Sequence, residues 1–579
     1  AGNEIFLVAN HFTAKSGSGD IWQADQDIAA GQPANDSWDR RNEQAQDVYA
    51  MIDYIQTNGP GAGVVSGGDY NDFYFYRPLE VVTGYVLPDG TPRTGGSRFE
   101  NLTLLLTEAE RFSYNFDGRS QALDHIISSQ ALSAVATYDI VHINTGYNSR
   151  GTAADADPSL SDHDPAVASF DFRSLSETLV GTPQRDVFDL SQGGDDHVSG
   201  LGGSDTFYFG GAFDENDFVD GGEDVDAIIL QGDYSGGVTF GTGTTSNIVG
   251  VESLALAPGD YTGFGNAGGA LTSYDLTMLD SNVPSGATFK INAFTLRPGE
   301  DFTFDGSAET DGRFIILAGR GVDDLTGGAG ADVFLFGHDG RFGAGDKVEG
   351  GGGYDNIYLR GDYVIDFNAP GWTDALAGVE SVTLGGFADE RFFVGGDGEF
   401  DYAITWNDAL LDGGMIVFNG SGLGANETMS FDGSSESSAG FRLWGGAAAD
   451  DLRGGGGNDM LYGGNGADTL RGNGGNDEYR YYSESESNPG SRDEIEGFTL
   501  GDLINLRDMD ANANLAGDQN FDFVGSALFT PGQPGQVRVQ QVGTVALVQA
   551  DVNGDALPDL EILVDVADSH PLTAIDFIL

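Results

Sequence analysis

Four aspartates fall at a strict spacing of nine, Asp450, Asp459, Asp468 and Asp477, in GGAAADDLRGGGGNDMLYGGNGADTLRGNGGNDEYRY, residues 445–481. Two positions after them come Leu452, Leu461, Leu470 and Tyr479, and glycines precede each aspartate. A flexible linker has no need of an apolar residue at every ninth position. A coil does. A short strand carries the apolar residue inward to stack on the next coil, and a glycine-rich turn bends the chain back through positive φ angles. The aspartates and turn carbonyls of adjacent coils then offer oxygen ligands, which suit a hard cation such as calcium.

The charge points the same way. The chain has 91 acidic and 26 basic residues, a formal charge of −65. Such a charge repels itself and repels polyanions, and bound divalent cations relieve it. There is no cysteine, so rigidity must come from elsewhere than disulfides. At 39% hydrophobic and 11% aromatic content, the chain can build real cores and is no disordered acidic tail. No run of about 18 apolar residues exists to span a membrane. The first residues, AGNEIFLVA, read as a strand without a basic leader region, so an export signal is expected upstream or at the C-terminal end.

The nine-residue unit matches the G-G-x-G-x-D-x-U-x pattern of the calcium β-roll, and this part of the chain resembles the RTX family of glycine- and aspartate-rich exoproteins. Shorter pairs recur upstream: Asp196/Asp205, Asp323/Asp332, and more loosely Asp217/Asp226 and Asp346/Asp355. A longer period overlies them. Asp196, Asp323 and Asp450 are 127 residues apart, as are Phe304/Phe431 and Asp305/Asp432. VGVESLAL (249–256) answers AGVESVTL (377–384), and FTFDGSAETDGRFIIL (302–317) answers MSFDGSSESSAGFRLW (429–444). The expected fold is multidomain and mainly β. After an N-terminal region of residues 1–172 come two modules of β-roll with a strand-rich insertion (173–318 and 319–444). A β-roll of four nonapeptides (445–490) and a C-terminal cap (491–579) follow. The parallel solenoid should be elongated.

The order of segments after residue 491 is similar to the tail of serralysin-type and other RTX exoproteins. The resemblance implies export by a type I secretion apparatus from a Gram-negative cell, with the protein extracellular or at the cell surface. DVNGDALPDLEI (551–562) places Asp551, Asn553 and Asp555 at positions 1, 3 and 5 of an EF-hand loop. Ala556 stands where that loop needs glycine and Ile562 where it needs glutamate, so a β-turn capping the roll is preferred, with calcium as the alternative.

Residues 1–172 have a mixed α/β texture. EIFLVANHF reads as a strand with a polar end, and residues 40–56 as a helix with Ala45, Val48, Ile52 and Ile55 on one face. Polar residues gather at predicted strand ends: His11, Asp69, Asn71, Asp124 and the pair Asp162-His163. The ordered strings NHF-x-x-K, GDYND, LDH, HIN and SDHDP resemble the endonuclease/exonuclease/phosphatase superfamily, and most closely its large extracellular bacterial nucleases. The resemblance spans about residues 3–172 and implies an α/β half-sandwich, the second half of a DNase I-like fold. It implies His163 as general base, oriented by Asp124. Asp162 would be a ligand of a catalytic divalent metal such as magnesium. Asp69 and Asn71 would position the nucleophile and the scissile phosphate, and His11 would contact the phosphate. The first half of that fold, with its metal-binding glutamate, is expected from an upstream fragment, another chain or a partner. Arg40, Arg41, Arg111 and Arg119 are the candidates for a local basic patch facing nucleic acid.

Three functions follow as expectations. The first is a secreted metal-dependent nuclease or phosphodiesterase carried on calcium-binding repeats. The second is a surface protein of S-layer or filament type that self-assembles with calcium and keeps a non-catalytic nuclease-like domain. The third is an adhesin, which rests on architecture alone.

Overall fold

A computed structural model describes residues 5–12, 36–58, 63–71, 77–86, 91, 99–116, 119–134, 136–142, 163–170, 176–264, 269–338, 340–372, 374–388, 399–410 and 414–579. The chain divides into two compact units, Ala1–Leu175 and Ser176–Leu579.

The first unit is built on a mixed four-stranded sheet. Its strands are β1 (Ile5–His11), β2 (Gly63–Asp69), β3 (Phe99–Asn101) and β6 (Asp124–Ser129), in the order β1-β2-β6-β3. β1 runs parallel to β2, and β6 antiparallel to both β2 and β3. Between β3 and β6 lies a hairpin, β4 (Tyr114–Phe116) with β5 (Arg119–Gln121). β7 (Ala136–Ile140) and β8 (Ala166–Phe170) make a separate antiparallel pair. The helix expected from the 3.6-residue period is α1 (Asp36–Asn58). Its Ala45, Tyr49 and Ile52 are buried against Val8, Val64 and Phe99 of the sheet, with Val48 and Ile55 flanking them. An amphipathic helix on one face and apolar strand positions opposite it are enough to close this core. The unit is thus α/β; its relation to half of a DNase I-like sandwich rests on the sequence resemblance alone.

The second unit is a two-faced parallel solenoid. One face is a sheet of fifteen strands, from Val187–Asp189 to Phe577–Ile578. The chain alternates between this sheet and a succession of four-, six- and ten-stranded sheets. Asp451–Arg453 and Thr469–Arg471 belong to the ten-stranded sheet, Met460–Tyr462 and Glu478–Arg480 to the fifteen-stranded one. Leu452 therefore pairs with Leu470, and Leu461 with Tyr479. One coil is two nonapeptides. The central residue of each of these four strands is fully buried, and a single apolar cluster runs from Leu190 to Phe577. Each such side chain contributes about 1.5–3 kcal/mol of burial.

The segments between nonapeptide pairs, expected as insertions, are coils of this same solenoid with longer loops. Ser253–Leu256, Thr288–Asn292 and Arg313–Leu317 continue the fifteen-stranded sheet in parallel register. Strand-rich text without the nonapeptide signature thus stacks where the nonapeptides do. The 127-residue repeat is reproduced in packing: Phe304 meets Phe314 edge-on at 5.1 Å, and Phe431 meets Phe441 edge-on at 5.1 Å. At the C-terminal end, Gln536–Val542, Val545–Asp551 and Leu560–Val566 form an antiparallel meander. Leu560–Val566 pairs in parallel with Asp493–Phe498, so the meander covers the open edge that a solenoid would otherwise present. Among the described residues no helix is long and apolar enough to cross a membrane.

Phe431 is buried while its neighbour Ser430 faces outward. Phe431→Ala is expected to cost about 3–5 kcal/mol in denaturant unfolding at saturating calcium, and Ser430→Ala no more than about 0.5 kcal/mol. Equal effects would contradict the inward–outward alternation.

Candidate calcium ladder and a second polar cluster

In each nonapeptide turn the first glycine lies against the aspartate that ends the turn. A Cβ on Gly454, Gly463 or Gly472 would overlap Oδ2 of Asp459, Asp468 or Asp477. Glycine is therefore required by the carboxylate, beyond its freedom at Gly464, where φ is +93°. The carboxylate is drawn in because it accepts a backbone N–H from the preceding coil. The Asp450 N–H donates to Asp468 Oδ1 at 2.8 Å, Asp459 to Asp477 at 2.9 Å, Asp468 to Asp493 at 2.9 Å and Asp477 to Asp502 at 3.0 Å.

The looser pairs obey the same rule. Asp196 donates to Asp217 (2.9 Å), Asp205 to Asp226 (2.7 Å), Asp323 to Asp346 (2.9 Å) and Asp332 to Asp355 (2.7 Å). The ladder also uses residues that the sequence reading missed. Asp493 and Asp502 extend it past the last nonapeptide, and they too are nine apart. Glu252 and Glu380, of the two VES strings, accept the N–H groups of Asp226 (2.8 Å) and Asp355 (2.7 Å). The recurrence of those strings was the available signal.

The second oxygen of many rungs has no donor. Oδ2 of Asp196, Asp205, Asp226, Asp355, Asp468, Asp477 and Asp493, and Oδ1 of Asp323, are buried without a hydrogen-bond partner. A buried carboxylate oxygen in this state needs a proton or a cation. Burial, as the first cause, raises Asp477 and Asp493 to about 8 and Asp196, Asp355, Asp459 and Asp468 to about 7. It raises Asp217, Asp226, Asp332, Asp346 and Asp450 to about 6, and lifts Asp205 and Asp323 as well. Paired carboxylates with unsatisfied oxygens, flanked by turn carbonyls, fit a hard divalent cation such as calcium.

Asp551, Asn553 and Asp555 form a turn of their own. Asp551 is buried, and its two oxygens accept the N–H groups of Gly554 (2.7 Å) and Ala556 (2.9 Å). Asn553 accepts from Asp555 and Asp555 from Leu557. The side chains thus serve the turn's own backbone, with Ala556 at φ +67°.

The first unit carries a different cluster. Register places His11 opposite Asp69, and Asp69 opposite Asp124, so the three lie abreast at one end of β1, β2 and β6. Gly68 lets the strands close, since a Cβ there would overlap the Asn10 carbonyl. Asn71, at φ +50°, clamps Asp69: its backbone N–H donates to Asp69 Oδ1 at 2.8 Å and its amide to Oδ2 at 2.9 Å. The same amide donates to the Phe12 carbonyl at 3.0 Å. His163 Nδ1 lies 2.6 Å from Asp124 Oδ2, and His11 Nε2 lies 3.8 Å from Asp69 Oδ2. Among the described residues, Asp69, Asp124 and His163 are the group of three with ligand atoms within 4.8 Å of one another. Burial, reinforced by Asp124 and opposed by the Asn71 N–H, raises the Asp69 carboxyl above its ordinary value. Asp162 lies outside the described residues.

Supporting residues went unread in the sequence. Buried Ser113 accepts the N–H groups of Leu123 (3.2 Å) and Asp124 (3.1 Å), while its carbonyl accepts the Asp164 N–H (2.7 Å). One serine thus ties the strand of Asp124 to the segment of His163. Buried Asp164 meets His142 Nδ1 at 3.0 Å, and His142 stacks on Phe112. The expected basic patch loses one member to burial, and a second is tied to backbone carbonyls. Arg41 is buried in α1, and Arg111 donates to the carbonyls of Leu104 (3.0 Å) and Leu106 (2.8 Å).

A parallel solenoid with a buried ladder of carboxylates between its coils defines a calcium-binding repeat protein. The family model of the RTX calcium-binding nonapeptide repeat matches residues 190–215, 315–337 and 444–479, in 4 copies. The chain therefore carries RTX repeats and binds calcium through them. A search of curated proteins finds no match.

The raised carboxyls fix the sign of a pH effect. Between about pH 4 and 8 the calcium-free folded chain holds protons that the unfolded chain, with ordinary aspartates, has released. Its stability must fall as pH rises through that window. Without calcium, melting followed by circular dichroism should give a higher midpoint at pH 5 than at pH 8. With saturating calcium the order should invert, because protons and calcium compete for the same oxygens. A calcium-free midpoint that climbs with pH would count against the ladder.

Proposed function

We propose that this is a calcium-folded exoprotein whose N-terminal unit takes part in metal-assisted hydrolysis of phosphodiester bonds. The observation that supports the reading is the alignment of His11, Asp69 and Asp124 across three strands, with His163 bonded to Asp124. The Asp124 carboxylate fixes the ring of His163 through Nδ1, so the proton of an attacking water falls to Nε2. As that water's oxygen bonds to phosphorus, the bond to the leaving oxygen breaks, and the charge that develops on the phosphoryl oxygens faces His11. Asn71, whose amide hydrogens are taken by Asp69 and the Phe12 carbonyl, holds the Asp69 carboxylate in position. A divalent cation held with the help of Asp69 and Asp162 would clamp the phosphoryl oxygens.

Leu7 of β1 is 80% exposed, on a strand at the edge of the sheet. This is where a further layer of the proposed sandwich would pack. The calcium repeats and the likeness of the tail to type I substrates support export to the outside of the cell. There, millimolar calcium would fold a ladder that repels itself when bare.

The test is cleavage of plasmid DNA and of bis(p-nitrophenyl) phosphate with calcium and magnesium, for the chain and its His163→Ala and Asp124→Asn variants. Both variants should lose about 10²–10⁴-fold in rate while melting like the parent. No cleavage by the parent chain would remove the reading of this chain as a hydrolase on its own. Ordered assembly on calcium addition would then favour the surface-lattice function.

A further inference from the structure

The coil that leads into each nonapeptide run has a turn without a nonapeptide aspartate: FDGSAETDGRF (304–314) and FDGSSESSAGF (431–441). At the centre of each sits a glutamate, Glu309 and Glu436, 127 residues apart. Both side chains are buried, at 1% and 2% exposure. In each, Oε1 accepts two N–H groups of its own turn. Glu309 takes those of Asp311 (3.0 Å) and Gly312 (2.6 Å), and Glu436 those of Ser438 (3.0 Å) and Ala439 (2.9 Å). In each, Oε2 is buried with no hydrogen-bond partner.

Packed against each glutamate is an aspartate turn of the next coil. The Glu309 carbonyl accepts the Ala329 N–H at 2.8 Å, and the Glu436 carbonyl the Gly456 N–H at 2.8 Å. The turn glycines Gly328 and Gly455 are close-packed on the glutamate stems, since a Cβ on either would lie 2.9 Å from the glutamate Cβ. The carboxylates of Asp332 and Asp459 close these turns. Asp332 accepts the Gly328 N–H at 2.7 Å, and Asp459 the Gly455 N–H at 2.8 Å.

Glu300 and Glu427 supply a contrast, each nine residues earlier and equally buried. Their oxygens are all met by donors. Glu300 takes the N–H groups of Gly259 and Arg297 and the Arg297 guanidinium, and Glu427 those of Phe387 and Gly424. These two are turn clamps. Glu309 and Glu436 are half-satisfied, and their stems pack on a turn that a second carboxylate closes.

We infer that each junction, Glu309 with Asp332 and Glu436 with Asp459, holds a divalent cation of the calcium type, beyond those of the nonapeptide ladder. The donors are all oxygens, two carboxylates with turn carbonyls around them, and a hard cation is what such a set accepts. The glutamate is longer than aspartate because this turn is longer than a nonapeptide turn. Strand register advances by 21 residues from Asp432 to Arg453, but by 18 from Arg442 to Met460. The extra residues hold the backbone away from the ion position, and the longer side chain reaches back to it. The inference rests on the calcium reading of the ladder itself.

The test counts calcium bound to the full chain by native mass spectrometry and equilibrium dialysis. Glu309→Gln and Glu436→Gln should each bind one ion fewer than the parent, and the double variant two fewer, with unchanged circular dichroism in calcium. Equal counts would overturn the inference and leave the ladder standing. A parent chain that binds no calcium would instead remove the ladder. Should a variant not fold, crystals of the parent grown in calcium decide. An ion at roughly 2.3–2.6 Å from the Oε2 atoms of Glu309 and Glu436 is expected, and its absence from both places overturns the inference.

Discussion

One hydrogen bond, repeated from coil to coil, holds the solenoid in register: a backbone N–H donating to a carboxylate of the coil that follows. It draws an acid into the interior at every turn, as in Asp450 to Asp468 and Asp459 to Asp477. Apolar stacking could form without it, but register would then be free to slip between strands only three residues long. The same bond creates the electrostatic problem. In many rungs it satisfies one oxygen and leaves the other buried without a donor, and neutralisation must come from a proton or a cation. Fold and metal are therefore one equilibrium in this unit.

The bond also explains how dissimilar text makes a continuous structure. Nonapeptides, VES strands and the FDGS turns share little beyond an acid at the turn and an inward apolar residue. Glu252 and Glu380 do for their coils what Asp468 does for its own. Where loops lengthen, glutamate takes over from aspartate, and aromatic pairs such as Phe304 with Phe314 fill the wider interior. The antiparallel meander at residues 536–566 ends the stack by pairing its last strand.

Much of the ladder was legible because its signal is arithmetic. A spacing of nine identifies Asp196 to Asp477, and the 127-residue period carries the pattern across the gaps. Asp493 was hidden because a longer loop separates it from Asp477, and Glu252 because a strand motif masks a ligand-like acid. That the insertions are coils was illegible for a physical reason: a buried parallel strand is marked only by apolar residues, which any strand may share. In the first unit the strand-end residues could be named. Their meeting depends on the register of His11 with Asp69 and Asp69 with Asp124, which no local pattern encodes. Ser113, a lone serine in a polar stretch, carried no signal at all, although it ties two parts of that cluster together.

The ladder has a polarity. Every rung is an acid reaching back to the coil before it, so a coil owns the carboxylates that serve its predecessor and borrows those that serve itself. A block of sequence copied in upstream finds an acceptor already waiting, whereas one removed downstream orphans its neighbour. Growth by duplication is thus easy in one direction. The two 127-residue blocks that precede the nonapeptide run are what such a lineage would leave behind.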